Sequence, residues 1–261
     1  MHFIDTHCHI VSGVDDGAAS VDVSLEMAQL AIKDGISTII ATPHIVEGIY
    51  DGVDLQKRLD ALGIALVEKE IDLKLVAGAE VPMSACMAGD KQILEGLTLG
   101  DGPCLLMETS DTSYDQVARA AYQVRLCGLL PVLAHPERTA FVQKDPGRLE
   151  QLLGNGDVFC QITAASFEGL FGRTVQKTAW SMLKSGMVHL VASDAHSAGR
   201  RSPHLSTSHS LIIKSVGEEK ASVIFQENPQ RVLAGNKLLQ APAGTGGEVS
   251  IRGFLARLLG R

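Results

Sequence analysis

The strongest constraint on the fold is a regular alternation of short apolar runs with longer segments of helical periodicity. This alternation is typical of parallel strands joined by crossover helices. Several runs are almost wholly apolar, as expected for strands covered on both faces. The seven predicted strands are His2–Thr6, Ser37–Ala41, Leu73–Gly78, Cys104–Glu108, Pro131–Ala134, Val158–Ile162 and Val188–Ala192. The predicted helices are Val21–Asp34, Leu55–Glu70, Tyr114–Cys127, Pro146–Leu153 and Val175–Lys184.

No linker rich in proline, glycine or serine interrupts the chain before about residue 241, so the sequence predicts a single domain over residues 1–240. The tract APAGTGGE (241–248) is typical of a short linker. The last residues, SIRGFLARLLGR, place their large apolar side chains on one helical face and predict a short amphipathic, basic helix. We expect this helix to dock on its own subunit or on a second copy of the chain. Weak contact with a membrane surface is the alternative.

Potential metal ligands recur at one topological position, at or just beyond the end of a predicted strand. In a flat, open sheet the first and seventh strands would lie about 29 Å apart, too far for their ligands to share a site. Closing the sheet into a barrel gathers the strand ends around one mouth, where barrel enzymes place their chemistry. We therefore predict an α/β fold with a seven-stranded (β/α) barrel. The candidate ligands are His7, His9, Asp16, His44, Glu80, Glu108, His135, Asp194 and His196.

The His-Cys-His tripeptide favours a shared metal ion. Side chains alternate along a strand, so His7 and His9 lie on the same side while Cys8 points away. The alternative is a pair of ordinary surface or core histidines. Asp5 is a candidate acceptor for the second ring N–H of a ligand histidine.

Carboxylates that end apolar strands cost several kcal/mol to bury if they remain unpaired. Ion pairs with lysine or arginine would explain single cases. Five imidazoles and four carboxylates in one topological position are more simply explained by a multinuclear metal site. Histidine and carboxylate without convergent cysteine favour Mn²⁺, Fe²⁺ or Zn²⁺.

A phosphate monoester suits such a site. Three divalent ions held by four carboxylates would leave a net charge of about +2, which complements a phosphate dianion. Arg138 in AHPER and Arg201 after SDAH are candidates to bind its oxygens as bidentate donors. The alternative role for both arginines is surface salt bridging.

Composition excludes several classes of partner and compartment. The chain has 30 acidic and 23 basic residues and only 4% aromatic residues, which argues against nucleic acid as a partner. Five cysteines at irregular spacing favour reduced thiols and a cytoplasmic protein. Neither a signal peptide nor an apolar run of about 18 residues is present, so no membrane span is predicted.

Signatures of several other hydrolases are absent from the sequence. No cysteine is followed by arginine six positions later, which excludes the phosphate-binding loop of thiol-nucleophile phosphatases. The patterns G-x-x-x-x-G-K-[ST] and G-x-S-x-G are missing as well, so nucleotide-driven and serine-nucleophile chemistries lose their usual signals.

The motifs D-T-H-C-H-I, G-V-D-D-G, A-T-P-H, G-A-E, M-E-T, A-H-P-E-R, S-D-A-H and E-N-P-Q-R-V-L occur in this order. The series resembles the PHP (polymerase and histidinol phosphatase) superfamily over roughly residues 1–235. G-V-D-D-G after H-C-H, together with H-P-E-R, is similar to the metal-dependent protein-tyrosine phosphatases of bacterial capsule and exopolysaccharide operons.

The resemblance implies a distorted barrel with three divalent ions, usually manganese. By motif, His7, His9, Glu80 and Asp194 would hold one ion, and the bridging Glu80 would hold a second with Glu108 and His135. Asp16, His44 and His196 would hold the third, and Arg138 and Arg201 would bind the phosphoryl group. The implied substrate is the phosphotyrosine-rich tail of a membrane tyrosine autokinase that controls polysaccharide export. Both monomers and homo-oligomers occur in such a family.

The functional hypothesis is phosphomonoester hydrolysis by in-line attack of a metal-bound hydroxide. One alternative is another enzyme of the same fold, acting on histidinol phosphate, another small phosphomonoester or nucleic acid. An alternative of a different class is a non-catalytic module that binds phosphotyrosine tails.

Overall fold

A computed structural model describes residues 2–45, 52–154 and 156–240. Parallel strands alternate with helices, as predicted. The strands are β1 Phe3–Cys8, β2 Ile36–Ala41, β3 Lys74–Ala77, β4 Glu80–Val81, β5 Cys104–Glu108, β6 Leu130–Ala134, β7 Phe159–Thr163 and β8 Leu190–Ala192. The helices are α1 Val21–Asp34, α2 Gly52–Glu68, α3 Met83–Ala88, α4 Lys91–Glu95, α5 Tyr114–Leu126, α6 Ala140–Lys144, α7 Pro146–Leu153, α8 Ala164–Glu168, α9 Arg173–Lys184, α10 Ser206–Val216, α11 Glu218–Ser222 and α12 Asn228–Leu233. A 3₁₀ turn spans Pro136–Arg138, and a π-helical turn spans Val223–Glu227.

The strands form two parallel sheets, β1-β2-β3 and β4-β5-β6-β7-β8. Two bridges join the sheets, one between Cys8 and Ala195 and one between His44 and Glu80. The backbone N–H of Asp194 also donates to the carbonyl of His7 at 2.8 Å. These contacts close the ring, which confirms the predicted α/β barrel.

The described residues contain eight strands instead of the predicted seven, because a short additional strand, β4, follows the third predicted strand, Leu73–Gly78. β3 pairs with β2, whereas β4 pairs with β5 on the other side. Between them lies Gly78, where a Cβ would come within 2.8 Å of the Ile40 side chain and 3.1 Å of the Leu99 side chain. The chain therefore passes too close to its neighbours for a side chain, and it changes pairing partner just beyond this point.

Alternate residues along the strands divide the core into two clusters, as the two-residue period requires. Ile39, Leu105, Leu133 and Val191 belong to the larger cluster. The smaller cluster lies inside the ring and consists of Ile40, Leu99, Cys104, Leu106, Val132, Ala134, Phe159, Leu190, Val232 and Leu238. Gly102, before β5, packs against Gly235, so the segment after α12 closes the amino-terminal end of the barrel.

Helix ends follow the local sequence. Ser20 caps α1 by accepting from the backbone N–H of Val23, and Gly35 ends the helix with a φ of 91°. The helices between residues 206 and 233 were not predicted. Among the described residues, no helix has both the length and the apolar character needed to cross a membrane. The predicted linker and amphipathic helix of residues 241–261 lie outside the described residues.

Candidate metal centre

The inward-facing positions of the barrel continue beyond the apolar core as polar side chains. Glu108 follows Leu106 by two residues, and His44 and Asp194 follow Ile40 and Leu190 by four. Each therefore keeps the parity of an interior residue and faces the barrel axis at the carboxyl end. A contact confirms this for Asp194, whose Oδ1 lies 3.5 Å from Nε2 of His7.

The structure brings all nine candidate ligands together at this mouth. Four groups of donor atoms each lie within 4.8 Å of one another. The groups are His7, His9 and Asp194; His7, Glu80 and His135; His44, Glu80 and Glu108; and His9, Asp16, His44 and His196. Residues that belong to two groups link the groups into one cluster. This is expected when the carboxyl ends of the strands meet around one barrel mouth.

His7, in β1, and His9, just after β1, face each other through their Nε2 atoms, which lie 3.1 Å apart. Nδ1 of His7 lies 2.7 Å from Oε1 of Gln161, and Nδ1 of His9 lies 2.7 Å from Oδ2 of Asp15. Because these acceptors fix an N–H on each Nδ1, the Nε2 atoms would present two lone pairs to each other. A shared proton or a cation must relieve that repulsion, so the arrangement fits metal ligation.

Opposite charges in the cluster shift the pKa values of its histidine and glutamate side chains. Burial lowers the pKa of His9, but hydrogen bonds to Asp15 and Glu80 outweigh it and raise the pKa to about 10. Burial raises the pKa of Glu80, but the charges of His7 and His135 hold the pKa well below its usual value. The imidazole of His9 therefore compensates part of the negative charge of the buried carboxylates, and divalent cations would provide the same compensation.

Glu80 lies at the centre of the cluster. Its Oε1 is 2.8 Å from Nε2 of His135, and its Oε2 is 3.1 Å from Nε2 of His7 and 3.4 Å from Nδ1 of His44. The two oxygens therefore face different groups of donors, which suits a bridging carboxylate. Burial and the charge of Glu80 raise the pKa of Glu108.

The G-V-D-D-G motif forms the loop that supports His9 and presents Asp16. Asp15 accepts from the backbone N–H of His44 at 2.8 Å and of Gly17 at 2.9 Å, besides its bond to His9. A Cβ on Gly17 would lie 2.3 Å from the carbonyl oxygen of His9. Glycine is therefore required there, and Asp16 reaches the rim, with Oδ1 3.3 Å from Nε2 of His196.

Two candidate ligands lie on strained backbone. His135 has a φ of 36° and Asp194 a φ of 51°, in the left-handed region that non-glycine residues rarely adopt. The backbone N–H of His135 donates to the carbonyl of Gln161 at 2.9 Å and so fixes this geometry. Both side chains enter the mouth immediately after β6 and β8, where His135 contacts Glu80 and Asp194 contacts His7.

Arg138 and Arg201 converge on Asp194. Nη2 of Arg138 donates to Oδ2 at 2.6 Å, and Nη2 of Arg201 donates to Oδ1 at 2.9 Å. Arg138 also donates to the hydroxyl of Thr163 at 2.6 Å. The Nε atoms of both arginines are buried and have no hydrogen-bond partner. Nε of Arg138 lies 3.9 Å from Oε1 of the buried Glu137. The positive charge of the two guanidinium groups suits an oxyanion at the mouth.

The prediction for Asp5 was wrong. Its carboxylate binds the hydroxyl of Ser193 and accepts from the Ser193 backbone N–H at 2.9 Å. Asp5 shares the inward side with His7 but lies two residues deeper, about 7 Å along the strand. It therefore fastens β1 to the end of β8, while Gln161 and Asp15 bind the ligand rings.

Sequence reasoning missed the roles of Gln161, Asp15 and Thr163. Gln161 and Thr163 share the inward parity of Phe159, and this parity was the signal that could have found them. The four donor groups partly match the sets that the resemblance implies, since His7 and His9 lie with Asp194, and Glu80 lies with His135. His9 joins Asp16, His44 and His196, and Glu108 lies with His44 and Glu80 instead of with His135.

Known proteins resemble this chain in sequence and in fold. The tyrosine-protein phosphatase YwqE of Bacillus subtilis is 33% identical over 245 residues, which cover 92% of this chain and 94% of the relative. The tyrosine-protein phosphatase CpsB of Streptococcus pneumoniae is 30% identical and covers 88% of this chain and 98% of the relative.

A crystal structure from work on YwqE of Bacillus subtilis and CpsB of Streptococcus pneumoniae, described as unique metal-dependent tyrosine phosphatases, superposes with a TM-score of 0.83. The aligned region is 31% identical in sequence and covers 92% of this chain and 98% of the chain in that structure. The model of the capsular polysaccharide synthesis family CpsB/CapC matches residues 3–234. The chain therefore belongs to the CpsB/CapC family of capsular polysaccharide synthesis proteins.

Proposed function

We propose that this protein is a metal-dependent tyrosine-protein phosphatase that hydrolyses phosphotyrosine in the tail of a bacterial tyrosine autokinase controlling capsule or exopolysaccharide synthesis. One observation carries the proposal: nine residues with nitrogen and oxygen donors and two arginines that bind Asp194 meet at one barrel mouth. The names of the relatives support both the reaction and the phosphotyrosine substrate.

The proposed cofactor is a set of three divalent ions, with manganese the first candidate and iron or zinc the alternatives. The ligands would be the nine residues of the four donor groups. Imidazole and carboxylate donors without thiolate suit these metals. When bound, such ions make water nucleophilic near neutral pH and stabilise the attacking and leaving oxygens.

The side chains of this chain would bind and orient the phosphoryl group. Arg138 and Arg201 approach from the β6 and β8 sides, and their guanidinium groups would bind phosphoryl oxygens. Thr163 holds the Arg138 guanidinium in place. The leaving phenolate has a pKa of about 10, so its departure needs only modest assistance.

Chelation tests the proposal. Excess EDTA should abolish hydrolysis of p-nitrophenyl phosphate and of a phosphotyrosine peptide, and added Mn²⁺ should restore it. Iodoacetamide should leave the activity unchanged, because all five cysteines are buried and burial raises the pKa of Cys86 and of Cys104 to about 12. Full activity in excess chelator would refute the proposal.

Elemental analysis of the same preparation would identify the metal and its stoichiometry. Turnover of histidinol phosphate and of single-stranded DNA should be at least tenfold slower than that of the phosphotyrosine peptide. Binding of the peptide with Mn²⁺ but without hydrolysis would instead indicate a phosphotyrosine-binding module.

In this proposal the protein works in the cytoplasm, where five free thiols remain reduced. The partner is the autokinase tail. Residues 241–261 would contribute either to a homo-oligomer or to weak contact with the membrane surface near the kinase. Light scattering and vesicle sedimentation of the full chain and of a chain ending at residue 240 distinguish these two roles.

A further inference from the structure

Phe171, between α8 and α9, lies beside the two arginines of the mouth. Its ring centroid is 3.9 Å from Cζ of Arg138 and 6.0 Å from Cζ of Arg201. The residue is partly exposed. A partly exposed aromatic ring beside two guanidinium groups is well placed to meet whatever they bind.

A cavity of about 260 Å³ adjoins Phe171 on the Arg201 side. Ala165 and Leu170 contribute apolar surface, and Arg201 and His204 contribute polar surface. The volume is just below that of pockets for drug-sized ligands, so it suits a group about the size of one aromatic ring. Phe171 and Arg201 therefore line the same recess, whose surface is partly apolar and partly polar.

We propose that Phe171 forms the wall against which the aromatic ring of the substrate packs, and that this contact selects aryl over alkyl phosphate esters. The inference rests on the proposed phosphatase function. In an aryl phosphate, one ester oxygen separates the phosphorus from the ring, so a phosphoryl group on Arg138 and Arg201 places that ring at the level of Phe171. Phosphoserine and phosphothreonine carry no ring and gain no such contact.

A purely structural role for Phe171 makes a different prediction. If its ring only holds the Arg138 guanidinium by a cation–π contact, its loss should weaken binding of every phosphoryl ligand equally. The two roles are therefore distinguished by the ratio between aryl and alkyl ligands, and not by the loss of activity alone.

The test compares the parent with Phe171→Leu, the conservative Phe171→Tyr, and Tyr122→Leu as a matched control on the exposed face of α5. All four proteins are loaded with Mn²⁺. Calorimetry gives the Kd of benzylphosphonate and of methylphosphonate, and kinetics give kcat/KM for phosphotyrosine and phosphoserine peptides of identical sequence.

Phe171→Leu should weaken benzylphosphonate binding about 3- to 10-fold, the factor typical of an aromatic pair, and should change methylphosphonate binding less than twofold. The corresponding kinetic loss should fall on KM for the phosphotyrosine peptide. Phe171→Tyr should retain the aryl preference, and Tyr122→Leu should change no value.

Equal losses for both phosphonates, or no loss for either, would overturn the inference. The phosphonate measurements need no turnover. A parent that binds benzylphosphonate preferentially but hydrolyses nothing would therefore refute the proposed phosphatase function, while the role of Phe171 would still be decided by the ratio.

Discussion

Replacing Gln161 by leucine should weaken metal binding while leaving the fold intact. The buried amide oxygen of Gln161 lies 2.7 Å from Nδ1 of His7, and no other acceptor for that N–H is evident among the described residues. Without it, the His7 proton is free to move to Nε2, the atom that faces His9 and Glu80. Protonated Nε2 cannot ligate a cation.

The expected effect is a loss of metal affinity. A ligand histidine that loses its hydrogen-bond partner typically binds metal about 10- to 100-fold more weakly, equivalent to about 1.4 to 2.7 kcal/mol. Stability should change less, because two effects oppose each other. The variant leaves the His7 N–H without an acceptor, at a cost of about 1 to 3 kcal/mol, but it also removes Nε2 of Gln161, which is buried without a partner.

Calorimetric titration with Mn²⁺ measures the affinity, and urea unfolding in chelator measures the stability of the ion-free protein. Gln56→Leu is the matched control, because Gln56 is exposed on α2 and donates to Asp60 on the same helix. If Gln161→Leu binds Mn²⁺ as tightly as the parent and the Gln56 variant, the proposed role of the His7 tautomer is wrong.

Two further predictions follow from contacts away from the arginines. Gly17→Ala should lower Mn²⁺ affinity at least tenfold, because the new Cβ would displace the His9 backbone and the Asp15 carboxylate. Gly63→Ala is the control, since a Cβ there meets nothing within 4 Å, and unchanged Mn²⁺ affinity in Gly17→Ala would contradict the structure. The second prediction concerns His189, because burial lowers its pKa from 6.5 to about 4. The unfolded chain therefore binds one more proton between pH 6.5 and 4, and stability falls as the pH decreases through this range, by about 3 kcal/mol for this group. Urea unfolding of the parent and of His189→Gln at pH 7 and pH 4, both in chelator, should show this difference, because glutamine does not titrate but still offers an acceptor to the Cys160 N–H. Parallel pH dependence in the two proteins would show that His189 does not titrate as described.

The sequence by itself determined the class of fold and the identity of the clustered donors. Apolar runs of strand length and helical periods are local patterns, so the positions of most strands and the longer helices could be predicted from neighbouring residues. The two-residue period also predicted that His7 and His9 share a side while Cys8 points away, as the structure confirms.

Only the tertiary structure decided which groups support the ligands. Gln161 binds the ring of a histidine 154 residues earlier, and Asp5 binds Ser193, 188 residues later. Such pairs form when β1 meets β7 and β8 around the closed barrel, and no local pattern encodes which side chains then become neighbours. The break at Gly78 and the position of Phe171 have the same origin, since both depend on the distance between segments that are remote in sequence.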